Sequence, residues 1–136
     1  MAPGTARWLI DGNNVMGSRP DGWWRDRRGA ARRLVGELER HQWPEGAEVT
    51  VIFDGPGWGP EPEGAEHRTV VQVVHAGAHR SADDAIVEAA GRQGSAVVVV
   101  TSDRGLRDRV RALGAEIVPS RNLLDRLGGG QRDGSH

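Results

Sequence analysis

The sequence predicts a single α/β domain built around a mostly parallel sheet. Short β-branched runs alternate with longer amphipathic patterns along the chain, the signature of strands joined by crossover helices. The run at residues 96–100 is apolar throughout, as a central strand covered on both faces must be. The length, 136 residues, supplies one core and is too short for two.

Each element follows from its local pattern. Residues 7–10 form the first strand. A turn-rich stretch at 17–22 leads into a helix over 24–41, whose apolar residues Ala30, Ala31, Leu34, Val35 and Leu38 make one stripe opposite an arginine-rich face. The second strand covers 48–53, a Gly/Pro/Glu loop covers 55–66, and a third strand covers 69–75. The next helix opens after Arg80, with Ser81 as its cap and Asp84 as the acidic partner of a capping box. From that helix Ala85, Ile86, Ala89 and Ala90 face the core. Residues 96–101 form the fourth strand. A helix over 104–113 ends at Gly114, a natural C′ residue. Residues 116–118 form the fifth strand, and a last helix covers 121–127. The domain therefore runs from 7 to 127, and the polar, Gly-rich tail at 128–136 is expected to be disordered. There are no internal repeats.

Composition removes several chemistries. There is no cysteine, so disulfides, thiolate metal sites and cysteine nucleophiles are excluded. All 18 basic residues are arginine, which excludes catalytic lysines and the P-loop lysine. No apolar run approaches the length of a membrane span, and residues 1–6 do not read as a signal peptide, so a cytoplasmic protein is expected. The net charge is −1.

The acids are placed where strands end. Asp11 follows the first strand, Asp54 the second, and Asp103 comes just after the fourth. Asp83 lies in the first turn of the second helix, on the side that packs towards the sheet, whereas Asp84 falls in line with Glu88 and Arg92 on the polar side. In a parallel sheet the carboxyl ends of the strands share one edge, where ligands bind. Any one of these aspartates also reads as a turn former or helix cap. Together, several carboxylates at one edge repel unless a cation compensates them. Mg²⁺ suits such a site, because it takes oxygen ligands, keeps several waters and binds substrate phosphates. Two such ions would activate a water and stabilise the leaving oxygen of a phosphodiester. Without the four carboxylates the remaining surface is mildly basic.

Four segments in register resemble one family. Asp11-Gly12-Asn13-Asn14-Val15 resembles the opening motif of NYN-domain proteins, the YacP-like branch of the PIN-like nucleases. Val51-Ile52-Phe53-Asp54-Gly55 is similar to the second-strand element, Ser81-Ala82-Asp83-Asp84-Ala85-Ile86 to the helix start, and Val100-Thr101-Ser102-Asp103-Arg104 to the segment after the fourth strand. Gly114-Ala115 and the helix from Ser120 match the expected ending. The resemblance implies a PIN-like, Rossmannoid three-layer domain with a five-stranded parallel sheet in the order 3-2-1-4-5. It also implies Mg²⁺- or Mn²⁺-dependent cleavage of RNA. It makes Asp11, Asp83 and Asp103 the metal ligands, Asn14 an orienting or substrate-binding residue, and Ser102 a support for the third ligand. Asp54 varies in role among relatives. Arg104-Gly105 stands where some relatives place a second acid, which leaves one or two metals open.

An RNA-cutting site also needs phosphate contacts and a stacking platform. Trp23, Trp24 and Arg25 stand at the start of the long helix, with Arg25 or Arg27 as phosphate contacts and one tryptophan as a base platform. The competing reading is a packed tryptophan beside a solvated arginine face. Arg80 and Arg104 adjoin the acidic segments and are further candidates for phosphate. Trp8 reads as core, and Trp58 as a lid or loop anchor. His67, His75 and His79 lack metal-ligand helix spacing. A catalytically inactive RNA- or protein-binding module on the same fold stays open. A receiver-like phosphatase normally needs a lysine, and a DNA nuclease needs elements this chain is too short to hold. The sequence assigns neither a ribosome partner nor a homodimer.

Overall fold

The computed structural model describes residues 6–57, 71–78, 80–93 and 96–134, with side chains omitted for 93 and for 129–134. Its centre is a five-stranded, wholly parallel sheet in the order β3-β2-β1-β4-β5, with β1 Arg7–Asp11, β2 Glu48–Phe53, β3 Val71–His75, β4 Val97–Val100 and β5 Glu116–Val118. This is the order expected. The helices are α1 Gly12–Gly17, α2 Arg27–Arg40, α3 Ala82–Gln93, α4 Arg104–Arg111 and α5 Ser120–Gly134, with a single 3₁₀ turn at Trp23–Arg25.

Alternation along the strands builds two cores, one on each face of the sheet. On one face Ile10, Val49, Val51, Phe53 and Val100 meet the expected stripe of α2 (Ala30, Ala31, Leu34, Val35, Leu38), with Val15 of α1 and Leu123 of α5. On the other, Leu9, Ile52, Val97 and Val99 meet Ile86, Ala89 and Ala90 of α3 and Leu106 and Val110 of α4. The two faces are a consequence of handedness. The chain leaves β1 towards β2 through α2 and leaves β4 towards β5 through α4, in opposite directions across the sheet, so right-handed crossovers put those helices on opposite sides. Trp8 is part-buried on the first core, edge-on to Trp43 with ring centroids 5.1 Å apart.

Three elements differ from the sequence expectation. The segment 12–17, to which the sequence pattern assigns no element, is a helix: Gly12 lies so close to the Phe53 ring that a Cβ there would sit 2.5 Å from Cε1, and the Asp11 carboxylate caps the turn. The long helix begins at Arg27 rather than at 24, because Gly22 takes a left-handed φ of +76° and Asp26 caps the following turn through Gly29 N–H at 2.9 Å. The last helix begins at Ser120 and runs to Gly134, through the glycines where a tail is expected. Elsewhere Gly114, with φ +90°, follows α4 at its predicted stop. Trp58, His67 and His79, and most of the 55–66 loop, lie outside the described residues. No helix among the described residues is long and apolar enough to cross a membrane.

Candidate active site

The carboxyl edge of the sheet opens into a cleft of about 330 Å³ lined by Asp11, Asn13, Asn14, Asp54, Ser81, Asp83 and Asp103. It lies where strand order reverses on either side of β1, the switch point at which open α/β sheets bind ligands. The four aspartates singled out in the sequence are thus brought to one place.

The helix-capping and cleft-lining readings both hold for three of them. Asp11 Oδ1 accepts from Asn14 N–H at 3.4 Å and caps α1. Asp103 Oδ1 accepts from Leu106 N–H at 3.0 Å and caps α4. Asp54 Oδ1 accepts from Ala82 N–H, the first residue of α3, at 2.5 Å. Capping fixes each carboxyl group at the head of a helix while the side chain still borders the cleft. Asp83 sits one residue inside α3, and its neighbours differ from those of Asp84. Asp84 N–H donates to Ser81 Oγ at 3.1 Å, the expected cap, but the Asp84 carboxylate turns away to Arg109 at 3.1 Å. The reciprocal half of the capping box is therefore replaced by an ion pair.

Two threads of hydrogen bonds join the strand ends. Thr101 is fully buried, and its hydroxyl donates to Asp11 Oδ2 at 2.9 Å while accepting from Asp103 N–H at 3.1 Å. Asn14 Oδ1 accepts from Ser102 N–H at 2.8 Å and from the hydroxyl of buried Ser120 at 2.7 Å, and Ser120 N–H donates to Ser102 Oγ at 3.0 Å. Asn13 Oδ1 accepts from Asp54 N–H at 2.7 Å, tying β2 to α1. Sequence reading missed Thr101, Asn13, Ser81 and Ser120 as site residues, although all four lie inside or beside the recognised motifs.

The cleft is electrostatically loaded. Burial pushes the Asp11 carboxyl up to about 6, with Asp83 and Asp54 adding to the rise and the Thr101 and Asn14 hydrogen bonds opposing it. Asp83 is raised by burial first and then by Asp103 and Asp54, with Arg109 opposing. Perturbed carboxyls converging in a cleft mark a candidate functional centre. The candidate arginines Arg25, Arg80 and Arg104 are not among its lining residues. Arg80 pairs with Glu88 at 3.6 Å and borders a separate pocket of about 160 Å³ between α3 and the sheet. Arg104 is exposed in the first turn of α4, and Arg25 lies over the Trp24 ring at 5.8 Å. His75 stacks on Phe53, with centroids 5.9 Å apart.

The donor set fits a hard divalent cation in kind: four carboxylates, two amides and a hydroxyl, all of them oxygen-bearing. Among the described residues no three acids or histidines stand close enough together to enclose an ion by themselves. That is compatible with Mg²⁺, which commonly keeps several waters and takes only one or two protein carboxylates directly.

Comparison with known proteins decides the family. The model of the YacP-like NYN domain matches residues 8–134. The chain belongs to the YacP-like NYN domain family. Two crystal structures of Rae1 (YacP) from Bacillus subtilis share the fold of this NYN domain. A tryptophan-to-leucine mutant superposes with a TM-score of 0.72 at 23% identity, covering 93% of this chain and 77% of that one. A second structure of Rae1 gives 0.67 at 24% identity, covering 93% and 75%. No curated protein matches the chain. As an NYN domain it has the PIN-like nuclease fold, and the order of its five strands agrees with that membership.

Proposed function

We propose that this NYN domain is a metal-dependent ribonuclease, an endoribonuclease that hydrolyses RNA phosphodiesters at the aspartate cleft. The observation that carries the reading is the convergence of Asp11, Asp54, Asp83 and Asp103 on one cleft at the switch point of the sheet. Family membership supports it by supplying the nuclease fold.

Asp11, Asp83 and Asp103 would hold Mg²⁺ or Mn²⁺, directly or through water. The bound cation supplies an activated water and neutralises charge on the phosphate. The rest belongs to this chain. Thr101 holds Asp11 and the Asp103 backbone in fixed relation, so two of the carboxylates are oriented before substrate arrives. Asn14 locks the end of β1 to the segment after β4, acting as an orienting clamp. Asp54, anchored to the head of α3, adds negative charge that favours a cation in the cleft. Ser102 reinforces the Asn14 clamp through Ser120. Arg104, at the head of α4 and exposed, is free to turn towards a scissile phosphate.

A second reading has one observation in its favour. Among the described residues the acids do not enclose an ion by themselves, which suits an inactive RNA- or protein-binding module. Incubating the protein with a pool of single-stranded and structured RNA, in Mn²⁺ or Mg²⁺ against EDTA, separates the two. Internal cuts that require metal are expected from the nuclease. RNA left intact in every condition, with no effect of metal on the melting temperature, would remove the nuclease reading and favour the binding module.

A further inference from the structure

The cleft is acidic, so a polyanion held there needs cationic ground nearby. The arginines of the fold are not equivalent in this respect. Arg19 is taken up by Glu37 at 2.7 Å and Arg33 by Asp21 at 3.5 Å, whereas Arg25, Arg27 and Arg28 are exposed and have no carboxylate partner among the described residues. Two of these three guanidinium groups lie against indole rings. Arg25 stands over Trp24 at 5.8 Å and Arg27 over Trp23 at 5.5 Å. The rings themselves meet edge to face at 6.1 Å and 89°. Trp23 is part-buried on the core and against Gly17, where a Cβ would sit 3.5 Å from its ring. Trp24 is thereby held outward. At 56% exposure it is the most exposed large apolar side chain among the described residues.

We propose that Trp24, flanked by Arg25 and Arg27, is a stacking platform for a nucleotide of single-stranded RNA that lies a few nucleotides from the phosphodiester held in the aspartate cleft. The inference rests on the ribonuclease reading and names the form of RNA and the face along which it runs. Position supports it. Helix α1 begins at the cleft with Asn13 and Asn14 and ends at Gly17 against Trp23, and its six residues span roughly 9 Å. A strand leaving the cleft along α1 meets the platform within a few nucleotides. An exposed indole bordered by guanidinium groups that have no carboxylate partner among the described residues suits a base between phosphates, because stacking accepts any base and the arginines engage the backbone. A paired duplex keeps its bases stacked inside and offers no face to Trp24.

The test measures binding without catalysis. A labelled single-stranded RNA of mixed sequence is titrated in EDTA with wild type, Trp24→Ala, Trp24→Phe and, as a control on the opposite face of the sheet, Arg111→Ala. Trp24→Ala is expected to weaken binding about 5- to 100-fold, Trp24→Phe to retain most of it, and Arg111→Ala to change little. Replacing Arg25 and Arg27 by glutamine is expected to flatten the salt dependence, by about 0.7 in log–log slope for each phosphate that is no longer neutralised. Equal affinity of Trp24→Ala and wild type overturns the proposal, as does an equal loss at Arg111, preference for a duplex, or no binding by wild type. Cleavage in metal is scored separately. Binding that needs Trp24 without any cleavage removes the nuclease reading alone, and metal-dependent cleavage with unchanged binding removes the platform alone.

Discussion

At the scale of single residues, Asp11 is the group under most tension. It is 3% exposed, held by Thr101 and Asn14, and faces other carboxylates across the cleft. Its folded pKa of about 6 lies above the ordinary 3.8, so the folded chain binds its proton more tightly than the unfolded chain does. The associated stability is fully present below pH 3.8 and is lost as pH rises towards 6, in all about 3 kcal/mol for a shift of that size. Asparagine at this position keeps the cap and carries no charge. In metal-free protein, the stability of Asp11→Asn relative to wild type is therefore expected to rise between pH 4 and pH 7 by up to about 3 kcal/mol. Urea melts at several pH values would check this, and a difference that stays flat with pH would contradict the electrostatic account. Thr101 could not be singled out from sequence, since its role depends on β4 lying beside β1 in register, Ile10 opposite Val100. Asp11, Asp54 and Asp103 could, because strand ends are visible as the points where apolar runs stop, and Asp83 could from its side of the helix that follows Ser81.

Among the elements, the strands and the long helices were legible because their apolar periods are strong and their stops are marked by glycine or aspartate. The α2 stripe and the fifth strand fall where the pattern puts them. Helix α1 was not legible. Its sequence, Gly-Asn-Asn-Val-Met-Gly, has the composition of a turn, and it is helical because Asp11 caps it while Val15 and Met16 bury against the sheet. The extent of α5 was hidden for a related reason, since a run of glycines carries no helical signal. Helix α1 also carries Asn13 and Asn14 to the cleft, so its packing bears on the site. Gly12→Ala forces a Cβ into the Phe53 ring and is expected to cost about 1–3 kcal/mol and to lower cleavage more than Gly17→Ala, where the added carbon meets Trp23 only at 3.5 Å. Thermal melts with parallel rate measurements would check the order. Equal effects at the two positions would mean that the close approach of α1 to β2 does not set the site.

For the molecule as a whole, strand order follows from the family resemblance, and the faces on which the helices lie follow from the right-handed crossover. Together they gather acids that are distant in sequence at one edge of the sheet. The central claim is that the cleft these acids line is the catalytic centre. Helix α3 offers a direct test of it, because Asp83 borders the cleft while the next residue, Asp84, pairs with Arg109 outside it. The measurement is the metal-dependent rate of RNA cleavage by Asp83→Asn beside Asp84→Asn, each with the same loss of one charge from the same helix turn. A fall of at least about 100-fold for Asp83→Asn, with Asp84→Asn within a few-fold of wild type, is the predicted result. Equal rates for the two variants, or full activity in Asp83→Asn, would contradict it.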